Sequence, residues 1–311
     1  MNMQTKSKLI PYGSHFVDQQ DLKYIKDALF SGLLTSGKYQ NILSEKLKKY
    51  LKCDYVTLSN SGTSALHLSF LGINLKKNDI VIMPSINFIA SYNMASKIGA
   101  KIYLADVDKD TGQMTHTNIL DCIKKNKLKK IKCIITMYLG GSPENAEKIY
   151  KLKNKFNCFI IEDSCHAFGS YYYFKKKKYM VGSNIHSDIS TFSFHPVKSI
   201  ASGEGGCITT NSKKIFSKMN ELKNHGIKKN LDKHWDYNIV SNGFNYRISD
   251  INCALATSQL NKINKFTLSR NKIAKFYLKK LKNLDNYLSF PKYSKNTYSC
   301  YHLMVVKIFF N

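Results

Sequence analysis

A chain of 311 residues with 43% hydrophobic content is long enough to bury one large core and a smaller satellite. It has no run approaching the roughly 20 apolar residues of a spanning helix and no apolar stretch behind its first lysines, which argues against a membrane partner and a secretory leader and predicts a cytoplasmic protein. Its 48 basic residues against 21 acidic ones give a formal net charge of +27, yet only Arg247 and Arg270 are arginines and the lysines are spread over the polar faces, so the charge reads as compositional bias, disfavours nucleic acid as the partner and leaves a polyanionic metabolite as an attracted ligand.

Two helical patterns open the chain, at about 21–32 and 41–51, separated by Ser36 and Gly37. From about residue 50 to 210, short β-branched runs alternate with helical patterns, the mark of an α/β fold on a mostly parallel sheet. Seven strands are predicted, at 55–59, 80–83, 101–105, 131–137, 158–161, 189–194 and 206–210. The lysine runs at 124–130 and 175–178 read as a solvated helix end and a hairpin turn. A helix at 213–224 follows, then a polar stretch through Trp235, a long helical pattern at 249–281 and a strand-like run at 301–310. The expected organisation is a large α/β domain over 1–245 and, over 246–311, a linking long helix with an incomplete small α+β domain, as though the chain were cut off. The eight cysteines form no C-x-x-C pair and are expected to be reduced core residues, with neither disulfides nor a metal site.

Three constellations carry chemistry. The first is Asn60 to Leu66, where Gly62, Thr63 and Ser64 open a helix after a strand; free N–H groups and hydroxyls there suit an anion, although an ordinary Ser/Thr cap is an equal reading. The second is the acid pair Glu162-Asp163 at the end of a buried strand, where Asp163 can face the ligand crevice of an open α/β sheet or simply cap the next helix. The third runs from Ser190 to Lys198 and on through Gly203-Glu204-Gly205-Gly206. A Pro-bearing turn after a strand aims Lys198 back at the strand ends, among small and apolar residues where a desolvated amine is a better nucleophile. One lysine in so lysine-rich a chain is by itself a surface charge. An anion-binding helix start, a strand-end acid and a loop lysine, in this order, are together what a pyridoxal phosphate site requires: donors for the phosphate, a carboxylate for the ring nitrogen, an amine for the aldehyde.

These segments, with Tyr12, Pro84 to Ala90, His225-Gly226, Gly243 to Arg247 and Ser258 to Leu260, are similar to the DegT/DnrJ/EryC1/StrS sugar aminotransferase family of fold type I pyridoxal phosphate enzymes, over nearly the whole chain. The form of Phe192 to Gly206 resembles the branch that aminates the C4 keto group of UDP-linked 4-keto-6-deoxy-N-acetylhexosamines towards pseudaminic acid. The resemblance implies that Lys198 holds the cofactor as a Schiff base and then shuttles the proton, that Asp163 keeps the ring nitrogen protonated and that Phe88 stacks on the ring. It further implies that Gly62, Thr63, Ser64 and Ser193 bind the phosphate, that His166 sits near the ring hydroxyl and that Asn245 reaches the phosphate of a neighbouring subunit in a homodimer with shared sites. Tyr12, Gly32, Leu33, Leu34 and Thr35 match substrate-facing positions, and His195, Glu204 and Arg247 are weaker matches to the same surface. The implied substrates are L-glutamate and a UDP-sugar. A side branch with histidine in place of the lysine performs dehydration, and Lys198 argues against it here.

Two other readings compete: a pyridoxal-phosphate-binding pseudoenzyme whose substrate site is impaired by the short C-terminus, and a lysine-rich nucleic-acid binder with steep salt dependence.

Overall fold

The computed structural model describes residues 11, 13–229 and 236–310. Two helices, α1 (Gln19–Leu29) and α2 (Lys38–Leu51), lead into β1 (Tyr55–Ser59), α3 (Gly62–Gly72), β2 (Ile80–Pro84), α4 (Ile89–Ile98) and β3 (Lys101–Ala105). There follow α5 (His116–Lys125), β4 (Ile131–Met137), α6 (Ala146–Phe156), β5 (Phe159–Asp163), the hairpin β6 (Tyr171–Phe174) and β7 (Lys177–Met180), β8 (Ile189–Ser193), β9 (Gly206–Thr210), α7 (Lys213–Leu222), α8 (Asp250–Asn261) and α9 (Ile263–Lys280).

Among the described residues, seven strands form one sheet in the order β1-β9-β8-β5-β4-β2-β3. The pairs β2–β3, β2–β4, β4–β5 and β5–β8 are parallel, and β9 runs against both β1 and β8. The interiors of β2, β4 and β5 are mostly apolar and buried because helices cover both faces there. Side-chain alternation divides neighbours between the faces: Ile134 and Ile160 join a cluster with Ile119, Ile149 and Leu152, while Ile135 and Ile161 join Leu68, Phe70 and Met83 on the opposite side. A third cluster, with Leu43, Leu47, Phe168, Phe192, Phe194 and Leu260, lies where α8 packs against α1 and α2. All eight cysteines are free, and all but Cys165 are buried. No helix among the described residues is long and apolar enough to cross a membrane.

Two elements depart from the sequence pattern. The helical run at 249–281 is two helices meeting at Lys262 (φ −100°, ψ −2°), whose ammonium bonds Asp18 and Asp21 at the start of α1. The apolar run at 301–310 pairs only through Lys307–Ile308 against Leu288–Ser289. Its first residue, Tyr301, has φ +47°, a left-handed conformation that interrupts an extended strand. The hairpin expected at the lysine run is present, and it turns on Lys175 and Lys176, both with positive φ, as a tight two-residue turn requires.

Candidate active site

The parallel strands β1, β2, β4, β5 and β8 direct their carboxyl ends to one edge of the sheet, where open α/β folds bind ligands. The loops that leave them enclose a cavity of about 550 Å³.

The turn from β1 to α3 supplies Ser61, Gly62 and Thr63 to its wall. Ser61 caps the helix: its hydroxyl accepts the N–H of Ser64 at 3.1 Å, and the Ser61 N–H donates back to Ser64 Oγ at 3.1 Å. The N–H groups of Gly62 and Thr63, at the first helical positions, have no acceptor within the helix and stand at its positive end. Gly62 is pressed against β8, since a Cβ there would lie 2.8 Å from Ser193 Cβ. Ser193 also lines the cavity; its hydroxyl accepts the N–H of His195 at 3.3 Å and retains its own proton to donate.

At the end of β5 the two acids separate as strand geometry requires. Glu162 is buried beneath the sheet, accepting from Tyr138 Oη at 2.5 Å and Ser190 Oγ at 2.6 Å, and burial raises its carboxyl above the usual range. Asp163, 3% exposed, faces the cavity. Its Oδ2 accepts from Ser91 Oγ at 3.2 Å and its Oδ1 from the Cys165 N–H at 3.2 Å.

The turn after β8 carries Lys198 into the same cavity. It is closed by the Lys198 N–H donating to the His195 carbonyl at 2.8 Å, and the loop returns when Phe194 N–H donates to the Gly205 carbonyl at 2.8 Å. Gly205 is required there, because a Cβ would meet Ser202 Oγ at 2.5 Å. From beneath, Arg270 donates to the carbonyl of His302 at 3.2 Å and approaches that of Lys198 at 3.5 Å.

His166 and His302 complete the wall. Burial, reinforced by the Lys198 charge, lowers His166 to about 3; burial, then His166, Lys198 and Arg270, lower His302 to about 2. Both rings are neutral at physiological pH, and the Nδ1 atom of each is buried without a hydrogen-bond partner among the described residues, as is Asn87 Nδ2.

The structure thus brings together Gly62, Thr63, Phe88, Asp163, His166, Ser193, His195, Lys198 and Glu204. Ser64 is behind the wall, its hydroxyl engaged in the cap. Asn245 is exposed outside this cavity, Arg247 donates to Asn224 Oδ1 at 2.5 Å, and Gly32, Leu33, Leu34 and Thr35 also lie outside it, with Thr35 bridged to Ser249. Tyr12 lies outside the described residues. Sequence reasoning missed His302, Asn87 and Ser91; the signal for His302 was a single imidazole at the start of a mostly apolar run. Free helix N–H groups with a hydroxyl, a buried carboxylate and a lysine on one cavity are a donor set that fits pyridoxal phosphate.

The sequence pattern of the DegT/DnrJ/EryC1/StrS aminotransferase family matches residues 16–310. A UDP-4-amino-4,6-dideoxy-N-acetyl-beta-L-altrosamine transaminase of Campylobacter jejuni subsp. jejuni serotype O:23/36 is 35% identical over 302 residues, covering 97% of this chain and 77% of that protein. GDP-perosamine synthase of Escherichia coli O157:H7 is 33% identical over 300 residues, covering 96% and 78%. Among solved structures, Helicobacter pylori PseC, described as an aminotransferase involved in the biosynthesis of pseudoaminic acid, superposes with a TM-score of 0.86 at 27% identity, over 97% of this chain and 78% of that one.

Proposed function

This chain belongs to the DegT/DnrJ/EryC1/StrS aminotransferase family, a fold type I transaminase that uses pyridoxal 5′-phosphate, and we propose that it moves an amino group from L-glutamate to the C4 keto group of a UDP-linked 4-keto-6-deoxy-N-acetylhexosamine, in nucleotide-sugar biosynthesis of the pseudaminic acid type. The observation that carries the transaminase chemistry is the convergence of Lys198, Asp163 and the α3 N-terminus on one cavity. The choice of sugar is supported by the 35% identity to a transaminase named for a UDP-linked amino sugar. A GDP-perosamine synthase at 33% identity makes the nucleotide the point to test.

When bound, pyridoxal phosphate supplies an aldehyde that takes up the donor's amino group and a ring that draws in the electrons freed as a C–H proton leaves. The residues of the chain do the rest. Lys198 Nζ holds the cofactor between turnovers and, once displaced, carries the proton to and from the reacting carbon. Asp163, oriented by Ser91 and the Cys165 N–H, holds the proton on the ring nitrogen. The N–H groups of Gly62 and Thr63 and the Ser193 hydroxyl bind the phosphate. Phe88 covers the ring face, and His166 donates or accepts beside the ring hydroxyl as a neutral imidazole. His195 and Glu204, both exposed, line the same cavity and are assigned to the substrate.

The same reading makes the enzyme a homodimer with shared sites, in which Asn245 reaches the phosphate of the partner's cavity, while Gly32, Leu33, Leu34, Thr35 and Arg247 keep the substrate-facing role that the resemblance implies. It is supported by the exposure of Asn245 and of the apolar side chains of Ile89, Leu33 and Leu34, all half exposed or more. No observation favours a cofactor-binding protein without turnover.

Glutamate added to the purified protein should remove the visible absorption band of the lysine-bound cofactor, and Lys198→Ala should lack the band altogether. Subsequent addition of the UDP-linked 4-keto sugar should restore the band and yield the 4-amino sugar. Restoration by a GDP-linked 4-keto sugar alone would refute the nucleotide assignment, and no response to glutamate would refute the transamination.

A further inference from the structure

The hydroxyl of Ser64 leads away from the cavity to Asn60, donating to Asn60 Oδ1 at 2.6 Å. Asn60 in turn grips the segment that carries Asn245: its backbone N–H donates to the Tyr246 carbonyl at 3.0 Å and its Nδ2 to the Asn245 carbonyl at 3.3 Å. That segment is fastened to α3 a second time, because Tyr246 Oη meets His67 Nδ1 at 3.0 Å and the rings of Phe244 and Tyr246 stack at 4.9 Å beside His67. The circuit from α3 through His67, Tyr246, Asn60 and Ser64 returns to the first turn of α3.

The other side of the turn has no room to move. A Cβ on Gly62 would meet Ser193 at 2.8 Å, and one on Gly206 would meet the Ser61 carbonyl at 2.8 Å, so the turn already rests on β8 and β9. Its orientation is therefore set by what pulls on the far side, and Asn60 makes three of those contacts.

We propose that Asn60 is a positioning residue for the cofactor phosphate: tied to Ser64, Asn245 and Tyr246, it fixes the angle at which the Gly62 and Thr63 N–H groups face the cavity without itself lining that cavity. This rests on the reading that the α3 N-terminus holds the phosphate. A residue needed only for folding affects any ligand of the site alike, whereas a residue that aims phosphate donors affects only ligands that bear a phosphate.

The test measures dissociation constants of pyridoxal phosphate and of pyridoxal, which lacks the phosphate, for the full chain and its variants. Asn60→Ala should weaken pyridoxal phosphate about tenfold, the weight of roughly one net hydrogen bond, and leave pyridoxal within about twofold. Ser64→Ala removes the link to Asn60 together with the acceptor of the Ser61 N–H and should give a loss of the same selective kind, so it carries the test if Asn60→Ala does not fold. Parallel loss of both ligands, or pyridoxal phosphate affinity unchanged in these variants, overturns the proposal. A wild-type chain that binds pyridoxal phosphate no more tightly than pyridoxal overturns the reading of the turn, and the proposal with it.

Discussion

The imidazoles of His166 and His302 face each other with centroids 4.4 Å apart and planes tilted by 46°, on the wall that also holds Lys198. Burial holds both well below the usual histidine range, at about 3 and about 2. In the unfolded chain each titrates near 6.5, so as the pH falls the unfolded state takes up protons that the folded state refuses. The stability carried by the neutral pair is complete above about pH 6.5 and is lost below it, at roughly 1.4 kcal/mol per pH unit for each ring until the folded value is reached. Denaturant unfolding at pH 7 and pH 5 should therefore show a larger loss in the wild type than in the double variant His166→Asn, His302→Gln. Equal losses would falsify the assignment of two neutral buried rings.

The adjacent acids at the end of β5 should separate under mutation as they do in space. Asp163→Asn removes the charge facing the cavity and keeps the shape, so turnover should fall by about a hundredfold or more with little change in melting temperature. Glu162→Gln alters a buried cluster with Tyr138 and Ser190 and should change stability by about 1 kcal/mol while turnover stays within about twofold. Steady-state kinetics and thermal melts on both variants decide it; a large kinetic defect in Glu162→Gln would place the wrong acid at the ring.

Much of this site was legible because its parts are local in sequence. A strand end followed by a small-residue turn, a strand-end acid and a Pro-bearing turn with a lysine each announce themselves within a few residues, and the α/β topology then brings them to one edge. What remained hidden depends on tertiary contacts. His302 reaches the cavity because Tyr301 leaves the extended conformation, which an apolar run does not reveal. Ser61, Thr63 and Ser64 are equivalent as hydroxyls in the sequence, and only the capping geometry shows that Ser64 is turned away. The apolar periodicity of 249–281 passes unbroken through Lys262, since the break is fixed by acids on α1.

Gly62 is the most sensitive point of the anion turn. An alanine there would place Cβ 2.8 Å from Ser193 Cβ, closer than side chains tolerate, and the turn would have to retreat from β8. Gly62→Ala should therefore reduce pyridoxal phosphate affinity about tenfold or more, whereas Gly203→Ala, whose Cβ would find its nearest neighbour at 3.8 Å but has φ +79°, should cost about 1 kcal/mol in stability through backbone strain. Cofactor titration and melting temperature separate the two; normal affinity in Gly62→Ala would show that the turn is not packed as described.

Lys262 should matter for stability beyond its place at a helix junction. Its ammonium, on a side chain only 10% exposed, lies 2.6 Å from Asp21, whose side chain is fully buried, and 2.8 Å from Asp18. The first burial cost is the carboxylate of Asp21, which also receives Gln259 Nε2 at 2.9 Å and the N–H of Asp18 at 3.0 Å. Removing the cation while leaving that acid is more damaging than removing both, because an uncompensated buried charge remains. Lys262→Met should thus cost about 3–5 kcal/mol in denaturant unfolding. Adding Asp21→Asn should recover part of that loss, since the amide keeps an oxygen for Gln259 and the Asp18 N–H without the charge. Additive losses in the double variant would mean that the two residues stabilise the α1–α8 contact independently, and that the break between α8 and α9 owes nothing to their pairing.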